Sequence, residues 1–158
     1  MKSLDSNRFQ RVGSQSNAHV GRAFEKVAQE FFAMQGIPLL PGHRVPIGVG
    51  SEKKLHGFDL GCDYQRVLVE CKSHRWTAGA NIPSAKMTVW NEAMLYFMLA
   101  PTGYRKIMFV LRHSCERRDT TLASHYLKNY KHLVPDDVEF WEYDELMGIA
   151  VCINRKLA

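Results

Sequence analysis

Five apolar residues follow one another without a break in Ile107-Met108-Phe109-Val110-Leu111, between Lys106 and Arg112. A strand turns successive side chains to opposite faces, so a run like this is stable only where both faces are covered. That requirement dictates a sheet with a packed layer on each side. The flanking segments can supply the layers. Val20, Phe24, Val27, Ala28 and Phe31 recur at intervals of three and four. They predict a helix, capped by Ser16 or Asn17, that runs to about Gln35 and is stopped by Gly36 and Pro38.

A second helix opens at Pro83 and Ser84, with Trp90, Ala93, Met94 and Phe97 on its apolar face, and ends at Pro101 and Gly103. A third is expected over Thr120 to Leu133, with Ala123, Tyr126, Leu127 and Tyr130 inward. Between His43 and Lys72 the pattern changes to short strands near 43–49, 54–62 and 66–73, broken by turns at Gly48 to Ser51 and Asp63 to Gln65. These read as an antiparallel meander. Val138 to Tyr143 reads as one more strand, followed by a helical turn and a terminal strand. The order is helix, three-strand meander, helix, strand, helix, strand, an α/β chain whose mixed sheet carries helices on both faces.

With 158 residues and 46% hydrophobic content, residues 17–158 suit a single domain around one core, preceded by a flexible basic arm over 1–16. No apolar run approaches the roughly 18 residues of a membrane span, and the first residues lack the apolar centre of a signal peptide. Cys62, Cys71, Cys115 and Cys152 form no Cys-x-x-Cys pair, and Cys62, Cys71 and His74 match no common structural zinc spacing. Reduced thiols and a cytoplasmic location, away from any membrane, are the expectation. The net charge of +5 favours a polyanionic partner.

The chemistry concentrates between Phe58 and Lys72. Strand alternation sends Leu68, Glu70 and Lys72 to one face and Val67, Val69 and Cys71 to the other. If Asp59 lies on the neighbouring antiparallel strand, its carboxylate can meet Glu70. Two clustered carboxylates repel unless a cation lies between them. Asp59, Glu70 and the Cys71 backbone carbonyl would then hold Mg2+, with Mn2+ as a substitute, and water in the remaining positions. Lys72 could orient a water, accept its proton, or stabilise charge developing on a phosphoryl group; residue type alone leaves these three open. Just beyond, His74, Arg75 and Trp76 join positive charge to an aromatic ring and read as a nucleic-acid contact. Arg105, Lys106, Arg112, Arg117, Arg118, Lys128 and Lys131 offer further cations for phosphates. The plainer alternative is an ion pair on a protein-interaction domain.

The run from Asp59 through Glu70-Cys71-Lys72, after a helix carrying Gly21-Arg22-Ala23-Phe24-Glu25, resembles the PD-(D/E)XK nuclease superfamily, whose fold is restriction-endonuclease-like. The likeness covers Asn17 to Leu111. Phe58 stands where the proline that names the motif would be. The resemblance implies Asp59 and Glu70 as metal ligands, Lys72 as the catalytic lysine and Glu25 as an acid at the edge of the metal site. It implies a magnesium-dependent endonuclease cutting DNA, of restriction, repair or junction-resolving type. RNA remains a second possible substrate, and a homodimer would serve both strands of a duplex. A catalytically inactive nucleic-acid-binding module on the same fold is the alternative.

Overall fold

In the computed structural model, which describes residues 17–155, six strands form one open mixed sheet in the order β1-β2-β3-β4-β5-β6. The elements run α1 (Asn17–Met34), β1 (Leu40–Ile47), β2 (Lys54–Cys62), β3 (Val67–Lys72), α2 (Ser84–Leu99), β4 (Arg105–Leu111), α3 (Leu122–Tyr130), β5 (Val138–Asp144) and β6 (Ile149–Cys152). The meander is antiparallel. β3, β4 and β5 are parallel, because a helix separates each from the next and returns the chain to the same end. β6 turns back antiparallel on β5. The arm expected over 1–16 and the cap at Ser16 lie outside the described residues.

β4 behaves as its unbroken apolar run requires. Ile107, Phe109 and Leu111 pack into a core with Phe24, Ala28 and Phe32 of α1. Met108 and Val110 pack into a second core with Trp90 and Phe97 of α2 and Tyr126 of α3. One helix therefore covers one face and two helices cover the other. α1 is turned slightly from its expected stripe: Phe32 is buried, whereas Val20 is exposed and borders a cavity. The third helix stops at Tyr130 and continues as a single 3-10 turn over Lys131–Leu133.

Several basic residues expected to meet phosphates are paired with groups of the fold itself. Arg105 makes two hydrogen bonds, of 2.8 and 2.9 Å, to the buried Glu139 carboxylate. Lys106 is buried and bonds Asp137. Arg112 lies against Glu142 and Asp144, and Arg118 bonds the Ala80 carbonyl. Acids on or just before the parallel neighbour β5 pair with Arg105, Lys106 and Arg112; Glu139, Glu142 and Lys106 are the buried members, and a buried charge left unpaired would cost several kcal/mol.

Candidate active site

The site is built where β2 and β3 part. Their ladder pairs Cys62 with Val67, Gly61 with Leu68 and Leu60 with Val69, and then stops. The Asp59 side chain takes over: its Oδ2 accepts the Cys71 backbone N–H at 2.7 Å. On the other side of β2, Gly42 of β1 faces Asp59 with φ of 64°, a conformation that favours glycine, and the paired register skips that position. The strand changes orientation here, so Phe58 enters the core under α2 while Leu60, two residues on, enters the core under α1. A carboxylate therefore stands in the gap between two strands and satisfies a backbone donor that would otherwise be left without its ladder acceptor.

Glu70 and Lys72 share a face, as period-two alternation dictates, and the Lys72 ammonium donates to Glu70 Oε2 at 2.9 Å. Glu70 is only 6% exposed. Burial, then the Asp59 and Glu25 charges, outweigh Lys72 and push the Glu70 carboxyl up to about 7. Burial also works against the Lys72 ammonium, but Glu70 and Asp59 more than compensate, and its pKa is raised. Lys72 is a cation in this arrangement.

Two cavities meet at these residues. The larger, of about 480 Å3, is lined by Glu25, Asp59, Lys72, His74, Arg75 and Lys86 among others. The smaller, of about 210 Å3, has Asp59, Glu70 and Lys72 with His56, Glu92 and Tyr96. Glu25 projects from the third turn of α1, half-buried, and its pKa is raised by burial and then by Asp59. Asp59, Glu70, Lys72 and Glu25 are thus brought together from α1, β2 and β3.

Cys71 offers no ligand through sulfur. Its thiol packs toward the α1 core, and burial, followed by Asp59 and Glu70, drives its pKa well above the ordinary thiol range. Among the described residues no three His, Cys, Asp or Glu side chains form a group that could hold a metal by themselves. A cation held here would have two carboxylates to draw on, Asp59 and Glu70, which line one cavity, and the Cys71 carbonyl expected as a third oxygen would have to join them. That donor set fits a hard cation that keeps several waters, as Mg2+ does, and not a closed zinc site.

The loop after β3 divides. Arg75 is exposed at the mouth of the larger cavity and paired with Glu145 at 2.8 Å, a surface contact worth about 0–1 kcal/mol that a phosphate can displace. His74 lines the cavity and accepts a hydrogen bond from Trp90. Trp76 does not join them. It is 4% exposed, its backbone N–H donates to His113 Nδ1, and Arg118 sits 4.5 Å over its ring. The loop folds Trp76 into the core because an indole gains more from burial there than at a wet surface. Trp76→Ala is accordingly expected to lower folding stability by about 3–5 kcal/mol in urea denaturation.

His56, Lys86, Val89, Glu92 and Tyr96 also line the two cavities, although no motif in the sequence marks them. Four of these form a stripe on α2 at positions 86, 89, 92 and 96, beside the buried stripe of Met87, Trp90, Ala93 and Phe97. Helical spacing was the available signal: a row adjacent to the buried row faces the rim of the sheet. His56 stacks on Tyr96 at 3.9 Å, and its Nε2, 3.8 Å from Glu70 Oε1, is buried without a hydrogen bond.

Comparison with protein-family models, with curated proteins and with solved structures finds no match for this chain.

Proposed function

We propose that this protein is a magnesium-dependent endonuclease of the PD-(D/E)XK superfamily that hydrolyses DNA phosphodiester bonds. One observation carries the reading: where the β2–β3 ladder stops, Asp59 fills the gap and shares a cavity wall with Glu70 and Lys72. The order α1-β1-β2-β3-α2-β4, with α1 on one face and α2 on the other, supports the restriction-endonuclease-like topology. Glu25 on the shared rim supports it further.

Asp59 and Glu70 would hold the cation. Bound there, magnesium supplies Lewis-acid charge to a phosphoryl oxygen and acidifies water. The protein's own groups do the rest. Lys72 enters as an ammonium, so its raised pKa supports orienting the attacking water and offsetting negative charge on phosphorus over acting as the base. Arg75 and Lys86 at the cavity edge neutralise flanking phosphates. Two copies in a homodimer would present one centre to each strand.

The test is supercoiled plasmid incubated with the protein and Mg2+ or Mn2+, against EDTA. Metal-dependent conversion to nicked or linear DNA that Lys72→Ala abolishes supports the enzyme. Retarded mobility without cutting under either metal identifies the inactive binding module. Neither cutting nor retardation favours the interaction domain.

A further inference from the structure

His74 is held by a partner that the nuclease chemistry does not require. The residue lies two positions beyond β3 and lines the larger cavity with Glu25, Asp59 and Lys72. Its Nδ1 accepts a 2.7 Å hydrogen bond from the indole Nε1–H of Trp90, a fully buried side chain of α2. An indole nitrogen only donates, so Nδ1 must be the unprotonated nitrogen and the neutral ring carries its proton on Nε2. Trp90 has no second protonation state to release this arrangement. Nδ1 faces the core, which leaves Nε2, across the ring, toward the cavity. Nε2 has no hydrogen-bond partner among the described residues, nor is it sealed from solvent as His56 Nε2 is.

We propose that His74 is a tautomer-locked hydrogen-bond donor to a phosphate oxygen of the nucleic-acid strand, its Nε2–H directed into the cavity by Trp90. The assignment rests on the nuclease reading of the same site and gives His74, expected only as a general nucleic-acid contact, a defined atom, tautomer and acceptor. A non-bridging phosphate oxygen is acceptor-only and so suits an N–H that can do nothing but donate. Burial, then the Lys86 and Lys72 cations, holds the His74 pKa down to about 4, so the ring stays neutral beside them. A neutral donor orients the phosphate without adding another like charge to that cluster.

A purely structural role, as acceptor for Trp90, makes a different prediction, and two amide variants separate the two. His74→Asn sets a side-chain oxygen near the place of Nδ1, keeping an acceptor for Trp90 and removing the cavity donor. His74→Gln sets an amide nitrogen near the place of Nε2. Under single-turnover plasmid cleavage, His74→Asn is expected to slow cutting by about 10- to 100-fold with KM little changed, as for loss of one positioned donor. His74→Gln should recover most of the rate. An Asn variant that cuts like the parent, or a Gln variant no faster than Asn, overturns the proposal.

A second measurement needs no turnover. Nitrogen-15 spectra of the ring, in EDTA, should show the proton on Nε2 from about pH 5 to 8, and a short DNA oligonucleotide should shift that resonance. A proton on Nδ1, or an Nε2 signal unmoved with the oligonucleotide bound, overturns the proposal. Should the parent protein fail to cut while the Nε2–H signal moves, the nuclease reading falls and the donor assignment stands.

Discussion

Lys72→Ala is expected to reduce metal-dependent plasmid cleavage by about 10^3-fold or more while the protein remains folded. Loss of one preorganised charge-stabilising group costs on the order of 10^2–10^3 in rate, and Lys72 would also be the group that orients the nucleophile. The fold should tolerate the change for a specific reason. Removing the partner of a buried ion pair usually strands the other charge. Here the stranded group is Glu70, already poised at about 7, and losing the Lys72 ammonium raises it further, so the carboxyl takes up a proton near neutral pH. Lys72→Arg should not restore cutting, because a planar fork differs in length and donor geometry from a compact ammonium. Asp59→Asn should fail in cutting to a similar extent, yet its amide oxygen can still accept the Cys71 N–H that Asp59 now accepts. The ion-pair reading predicts the reverse pattern, with melting temperature falling sharply in both variants. Cleavage by Lys72→Ala at the parental rate would remove Lys72 from the chemistry and the nuclease reading with it.

What could be read from the sequence, and what could not, follows the range of the forces involved. Period two alone places Leu68, Glu70 and Lys72 on one face of β3, and the structure keeps them there. The stripe on α2 and the two-faced β4 are equally local, set by side-chain spacing and apolar continuity. The departure of β2 from β3 is not local. It depends on Gly42, seventeen positions upstream of Asp59, adopting a left-handed conformation, and on Asp59 substituting for a ladder acceptor. The burial of Trp76 is not legible either, because a basic neighbour and an aromatic ring look alike in sequence whether the loop faces water or folds inward. The pairing of Arg105 and Lys106 is hidden for another reason: their acids, Glu139 and Asp137, are brought alongside only by the parallel pairing of β4 with β5. Nothing in a dipeptide specifies that strand order.

Glu70 gives the second large effect, on stability as a function of pH in the metal-free protein. Its carboxyl is raised from 4.5 to about 7 in the folded state. Between those values the folded chain keeps a proton that the unfolded chain has released. Glu70's contribution to stability is therefore fully present below about pH 4.5 and lost as pH rises through about 7, a difference of about 3 kcal/mol. Glu70→Gln cannot titrate, so the stability difference between parent and variant, measured by urea denaturation in EDTA, should move by that amount across the window. His56 and His74, whose pKa values are lowered first of all by burial, produce the opposite slope below about pH 6.5, but they are present in both proteins and largely cancel in the difference. Mg2+ should reverse the trend. Binding requires the ionised carboxylate, so affinity should rise about tenfold per pH unit up to roughly pH 7 and level off above it. A parent-minus-variant difference that stays flat from pH 4.5 to 8 would mean that Glu70 is ionised throughout, held as a permanent ion pair by Lys72. The buried acid would then serve as architecture, and a cation would have to displace Lys72 at every pH.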